Sequence, residues 1–463
     1  MADFSIRELE QWNERIEEIA RAEGLSYYDQ EFEIVGYEDM IGYEAYIGMP
    51  SHYPHWSYGK AYERIKILNK YNLSGLPYEM VINSDPCIAY LMKDNTLLLQ
   101  ILTIAHVYGH NDFFRNNRLF KNGTRADYTI EMFKNHAERI RSYIFDPGIA
   151  YGRTEKILNA AHALKFQIAR VPGEKRITEE EIRRQLLLKS GGTQDREHPL
   201  LEAASGREEH LPDLRKIPLQ PEEDLLYFIS KYGRLLEWER DIINIVREES
   251  LYFIPQMETK IINEGWASFW HYTILNRLGL PQNLHMEFLK RHNQVIRPYE
   301  GQLNPYYIGF RIFEELREKY REEPRKIFEV RELERDESFI RRYLSFKLCD
   351  EMNLFEYVKA EDEYIISEVA DEEGWKRIRD TIASSVGLGG IPVIKVVEMV
   401  KKDNTLILEH QYDGRELELN YAFETIKHIV DLWDGKVMVA TFIDGKRKVI
   451  ACDEGKNISM GNG

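Results

Sequence analysis

Apolar residues recur at helical spacing through most of residues 1–350. Leu9, Trp12, Ile16 and Ile19 predict an amphipathic helix over 7–23. Residues 26–60 are dense in aromatics and glycine and read as a compact irregular segment. A short buried strand is expected over 78–82, broken by Asn83-Ser84-Asp85-Pro86, where Asp85 is placed to cap a helix beginning at Pro86. A long helix follows over about 95–120, then helices over 126–145 and 152–170, separated by Asp146-Pro147-Gly148. Over 171–221 the pattern dissolves into proline, glycine and mixed charge, which predicts an exposed linker or excursion. Pro221 and the acids Glu222, Glu223 and Asp224 suit the start of a helix running to about Ser250, with Leu225, Ile229, Tyr232, Leu236 and Ile243 along its apolar stripe. Further helices are predicted over 257–278, 281–294, 305–320 and 336–350.

After about residue 355 the period changes. A helix over 373–386 is followed by strands over 391–400, 405–410 and 416–419, a helix over 420–434, and strands over 436–442 and 447–452 joined by Asp444-Gly445. The expected fold is therefore mainly α with a smaller α+β C-terminal domain. The boundaries fall at 1–350 for the multi-helix main domain and 355–463 for the second. No internal repeat is visible.

Composition narrows the class. The chain has 463 residues, 43% hydrophobic and 30% charged, with a formal net charge of −16. That balance fits a folded protein and argues against a broad nucleic-acid surface. No run approaches the roughly 20 apolar residues of a membrane span. Cys87, Cys349 and Cys452 lie far apart and form neither a zinc ribbon nor a redox pair. A cytoplasmic location fits these features best.

The sharpest local chemistry is His106-Val107-Tyr108-Gly109-His110. Imidazoles four apart on a helix face the same way and can converge on one cation. A strand leading into this helix would be a zincin-like element, but Val107 stands where those hydrolases carry a glutamate base. The same pair can instead be core histidines held by hydrogen bonds. In Asn263-Glu264-Gly265-Trp266-Ala267-Ser268-Phe269-Trp270-His271, Glu264 and His271 fall about 20° apart around a helix axis. Glu264 is then the candidate third ligand beside His106 and His110, with zinc or a similar divalent ion as the cofactor. Glu155 and His162 repeat that spacing and, with His271, are candidates for acid–base work; Asp112 is a candidate orienter of a ligand histidine. Cys87, if it sits near a helix N-terminus, is an alternative nucleophile for acyl transfer. His55, Trp56, Tyr58 and Lys60, with Trp266, are candidate substrate-binding residues. His285 and His292 share a face in a helix that reads as polar and exposed, so neither is a candidate.

Several segments together resemble the stage V sporulation protein R (SpoVR) family. They are His55-Trp56-Ser57-Tyr58-Gly59-Lys60, Asn83-Ser84-Asp85-Pro86-Cys87, His106 through Asn117, Asn263 through His271, Asn304-Pro305-Tyr306-Tyr307-Ile308-Gly309-Phe310, and Asp336-Glu337-Ser338-Phe339-Ile340. The resemblance covers nearly the whole chain and implies a cytoplasmic protein involved in forming the spore cortex, a peptidoglycan layer. It also implies a serine-kinase-like protein as a possible partner, and it brings no catalytic assignment with it. The residues themselves suggest a metal-dependent hydrolase or amide-bond transferase acting on a peptide or peptidoglycan-related substrate. The alternatives are a Cys87 acyl transferase and a non-catalytic scaffold for a kinase or cortex-assembly factor.

Overall fold

The computed structural model of the chain describes residues 4–71, 79–190, 213–298, 302–354, 356–360, 363–368, 371 and 373–463. In chain order the first elements are α1 (Ile6–Ala22), β1 (Gln30–Val35), α2 (Tyr37–Ala45), α3 (Trp56–Lys70), β2 (Glu79–Ile82), β3 (Cys87–Met92), α4 (Leu97–Asn116), α5 (Arg118–Gly123) and α6 (Thr129–Phe145). Then come α7 (Tyr151–Ala163), α8 (Glu179–Ser190), α9 (Leu225–Tyr232), α10 (Glu237–Glu258), α11 (Lys260–Arg277), α12 (Gln282–Val295), α13 (Pro305–Lys319), α14 (Lys326–Leu333), α15 (Asp336–Tyr343) and α16 (Phe346–Glu351). The remainder is β4 (Glu356–Ala360), β5 (Glu363–Glu368), α17 (Gly374–Ser385), β6 (Ile394–Val400), β7 (Thr405–His410), α18 (Leu419–Trp433), β8 (Val437–Ile443), β9 (Lys446–Cys452) and β10 (Ile458–Asn462). The protein is mainly helical, with a five-stranded sheet near its C-terminus.

By contacts the chain divides into two interleaved units. The first holds 1–147, 170–173 and 251–390; the second holds 148–169, 174–250 and 391–463. Of the excursion expected over 171–221, residues 191–212 lie outside the described residues, and the described part carries α8, exposed along most of its length.

The first unit is organised around α4. Every residue from Leu98 to Phe114 is buried, so this helix has no solvent face. It packs against α1, α11 and α12, and α11 packs in turn on α13. Two glycines allow the closest of these approaches. A Cβ on Gly109 would lie 2.6 Å from the Cα of Ala267, and one on Gly265 would lie 2.4 Å from the Cα of Gly309. At α11's N-terminus, the carboxylate of Asp336 from α15 accepts hydrogen bonds from the backbone N–H of Ile261 and Ile262, each at 2.9 Å. Those two amides are among the donors a helix start leaves without intrahelical partners.

Beside the helices lies a sheet in the order β1-β3-β2, with β3 parallel to β1 and antiparallel to β2. The structure therefore corrects two expectations. Residues 26–60 hold a strand, a helix and the start of another, because Val35, Met40, Ile41 and Ala45 turn inward despite the surrounding aromatics. Cys87 opens a strand and not a helix: Gln30 pairs with it in register, and ladder bonds on both sides of β3 outweigh the local capping signal of Asp85-Pro86.

In the second unit the sheet runs β10-β9-β8-β7-β6, all antiparallel except β7 beside β8. The helix α18 packs on α7, and Trp433 stacks on Phe228 of α9 with ring centroids 5.9 Å apart. The β8–β9 hairpin turns at Asp444 and Gly445 with φ of 50° and 69°, the type I′ conformation expected of that dipeptide. No strand forms over 416–419, because Glu418 caps α18 by accepting from the N–H of Asn420 and Tyr421. The single helix expected from Pro221 and its acids to about Ser250 breaks at Gly233 into α9 and α10.

Two predictions follow from this packing. Gly265→Ala should destabilise the protein by about 1–3 kcal/mol or prevent folding, because the new methyl meets backbone and not a movable side chain; an unshifted urea midpoint would refute the close contact. Burial pushes the Asp336 carboxyl up to about 8 against the two backbone N–H groups, with Glu258 and Glu264 adding to the rise. Since the folded value exceeds the ordinary one, its contribution to stability is whole in acid and is lost as pH rises toward that value. Asp336→Asn should therefore show a smaller change in urea midpoint between about pH 5 and about pH 8 than the parent chain. A parent midpoint constant over that window would contradict the shift.

Candidate metal centre

Three elements of the first unit meet at one point. The half-buried start of β2 brings Glu79, the buried middle of α4 brings His106 and His110, and α11 brings Asn263, Glu264 and His271. One face of α4 and one face of α11 meet because Gly109 lets the two backbones approach. Oε2 of Glu264 lies 3.6 Å from Nε2 of His106 and 3.5 Å from Nε2 of His110. Oε1 of Glu79 lies 3.9 Å from the same nitrogen of His106. Glu79, His106 and His110 each offer a ligand atom, all within 4.8 Å of one another.

The other ring nitrogens are spoken for. Nδ1 of His110 lies 2.9 Å from Oδ1 of Asn263, an acceptor, so the proton sits on Nδ1 and the Nε2 lone pair faces the carboxylates. Nδ1 of His106 lies 2.9 Å from Nδ1 of His271, whose Nε2 lies 2.8 Å from Nδ1 of His292. If Nε2 of His106 also presents a lone pair, the tautomers are forced in sequence. His106 donates to His271, and His271 donates to His292. Partners of this kind orient metal-binding imidazoles and raise their basicity.

Electrostatics sharpen the cluster. Burial alone would raise the Glu264 carboxyl, but the neighbouring imidazoles of His106 and His110 hold it far below the usual range. Burial lowers His110, yet the Glu264 contact wins and the net shift is upward. Burial raises Glu79, with Glu264 adding to the rise. His271 is driven well down by burial and by His292, and His292 falls to about 4 for the same first reason. Two buried atoms here, Nε2 of His106 and Oε2 of Glu264, have no hydrogen-bond partner. Orphaned lone pairs on adjacent groups fit a cation between them.

The cluster opens into a cavity of about 760 Å³ lined also by Glu44, Gln256, Lys260, Gln294 and Tyr306. The other candidate residues are not among those lining this cavity. Glu155 and His162 belong to α7 of the second unit, where Glu155 accepts from the Tyr151 hydroxyl at 2.8 Å. His55 caps α3 through Ser57, Tyr58 bonds His52 at 3.1 Å, and Lys60 lies over the Trp56 ring; none lines the cavity. Trp266 is fully buried and donates from its indole to Asp112 at 2.8 Å. Asp112 orients no histidine: it also accepts from the Ser26 N–H at 2.7 Å, tying α4 to the chain after α1. Cys87 is fully buried with its Sγ 3.3 Å from the Ile82 carbonyl, and burial pushes the thiol up, so no helix dipole makes it a thiolate.

The strand β3 does precede α4, but that order alone does not make the element zincin-like, and Val107 is fully buried where a base would stand. Sequence reasoning missed Glu79, Asn263 and His292. The signal for His292 was its spacing of four from Phe288, which puts both on the buried face of α12. Glu79 carried the weaker signal of one acid in a four-residue strand.

Fold and site together define a helical protein with a buried histidine–carboxylate cluster. A family model described as SpoVR like protein matches residues 3–391, and one described as SpoVR-like C-terminal domain matches 392–443. The chain belongs to the SpoVR family. It is similar to a protein of Escherichia coli (strain K12) named uncharacterized protein YcgB, at 33% identity over 475 positions covering 94% of this chain and 92% of the relative. No solved structure matches the chain. Among the described residues no helix is long and apolar enough to cross a membrane.

The imidazole chain makes a direct prediction. His271→Ala leaves nitrogens of both His106 and His292 buried without a partner, and should destabilise the protein by about 1–3 kcal/mol for each unsatisfied group. Chemical denaturation reads this, and a midpoint equal to the parent's would show that the chain of histidines does not form.

Proposed function

We propose that this cluster is a divalent-metal centre and that the protein is a metal-dependent hydrolase or amide-bond transferase. The observation that carries the reading is the pair of orphaned atoms, Nε2 of His106 and Oε2 of Glu264, beside a second imidazole whose Nδ1 is committed to Asn263. His106, His110 and Glu264 would hold zinc or a similar ion. A bound divalent ion supplies Lewis-acid polarisation and brings the pKa of water toward neutrality. Glu79, at the cavity wall and near His106, is placed to hold or pass a proton at its carboxylate, the task that Val107 cannot perform. His271 and His292 keep the His106 ring in one orientation. The family name supports a role in sporulation, and the reading extends this to peptide or peptidoglycan-related substrates of cortex formation.

Metal analysis of freshly purified protein tests the proposal. The parent chain should carry close to one equivalent of a divalent ion. Glu264→Gln and His106→Ala, each with unchanged far-UV circular dichroism, should lose most of it, as should the parent after dialysis against a chelator. Protein that binds no divalent ion when titrated with zinc would sink the metal reading.

A further inference from the structure

Two charged side chains on the cavity wall have no role in the cluster just described. Glu44, on α2, has one carboxylate oxygen sealed from solvent without a hydrogen-bond partner. Lys260, the first residue of α11, is exposed at the same cavity and has no ion-pair partner among the described residues. The two do not pair with each other. A half-buried carboxylate with one oxygen sealed from solvent and no counter-charge is costly to keep, and such groups are normally paired or bound to something. A carboxylate and an ammonium lining one cavity, neither with an ion-pair partner among the described residues, fit the two ends of a zwitterion.

A second metal ion would not explain Glu44. Among the described residues the ligand group at this cavity is Glu79, His106 and His110, and Glu44 is outside it. One carboxylate is too few for a dedicated cation site, which needs several ligands. It is enough for a primary ammonium, which makes a short charge-assisted hydrogen bond to a single carboxylate. Gln256 and Gln294, on the same wall, offer both amide donors and acceptors to a peptide group.

We propose that Glu44 receives the ammonium group, and Lys260 the carboxylate, of an amino-acid or short-peptide substrate that enters this cavity. This rests on the metal-centre reading only for the reaction; binding at the two ends needs no metal. The reaction's amide would lie between the two anchors, toward the histidines. Glu44 therefore acts in recognition and not in the chemical step.

Isothermal titration of the full chain with alanyl-alanine, N-acetyl-alanyl-alanine and alanyl-alanine amide tests the proposal. The free dipeptide should bind at millimolar concentration or below, and N-acetylation should weaken it about tenfold or more. Glu44→Gln should bind the free dipeptide about as weakly as the acetylated one, so the discrimination disappears. Lys260→Ala should likewise abolish the difference between acid and amide while keeping the discrimination at the amino end. Glu44→Gln should also raise the Tm, because a neutral isostere replaces an unpaired, half-buried charge. Failure of the free dipeptide to bind, equal affinity for free and acetylated forms, or discrimination that survives in Glu44→Gln would each overturn the proposal. So would a lowered Tm in that variant, which would show that the carboxylate has a structural partner. Metal content measured on the same samples keeps the two readings apart. Metal-free protein that still discriminates refutes the metal centre alone, and metal-loaded protein that does not discriminate refutes the zwitterion site alone.

Discussion

The site depends on one backbone contact, that of α4 with α11 at Gly109 and Ala267. A helix buried on every side can carry polar residues only where a neighbour supplies partners, and α4 carries His106, His110, Asn111 and Asp112 within seven positions. The neighbour that supplies most of them is α11. Asn263 and His271 take the inner nitrogens of the two histidines, and Trp266 takes Asp112. Glu264, on the same helix, is left facing both imidazoles. With a side chain at position 109 the helices would separate, and these bonds would fail together.

Asp112 and His106 show how the same need for partners divides structure from chemistry. Asp112 is buried among donors from three segments: the Ser26 N–H, the Trp266 indole and, at 3.5 Å, the Arg331 guanidinium. Its lone pairs are used, so it holds the fold. His106 is as deeply placed, yet its Nε2 has nothing to bond. The contrast between a satisfied buried acid and an unsatisfied buried base is what separates a packing residue from a candidate ligand.

Much of this was legible from residue spacing. The 3.6-residue period located α1, α4, α11 and α13, and the four-residue interval of His106 and His110 put both on one face. The seven-residue interval of Glu264 and His271 did the same for α11. What spacing could not supply was the pairing of elements. Cys87 opens a strand because β1 and β2 flank it, and β1, its parallel partner, is separated from it in the chain by α2, α3 and β2. Glu79 reaches the histidines for the same reason, through a sheet whose order β1-β3-β2 differs from chain order. His292 was discounted because its helix is polar on most sides, while the buried side is a narrow stripe through Phe288. Glu155 and His162 have the favourable interval but lie in the other unit, since a shared helical face says nothing about what it faces.

The imidazole chain also limits what Glu264 and Glu79 can do. His106 reaches His292 through His271, so its inner nitrogen is held by a bond within the helices. Glu264 lies between both Nε2 atoms and is the more strongly held as an anion, whereas Glu79 is raised by burial and by the neighbouring charge. Two carboxyl groups in one cavity are thus driven in opposite directions by their surroundings. On the proposed metal-centre reading, that divergence suits Glu264 to ion binding and Glu79 to proton transfer, without a glutamate at position 107.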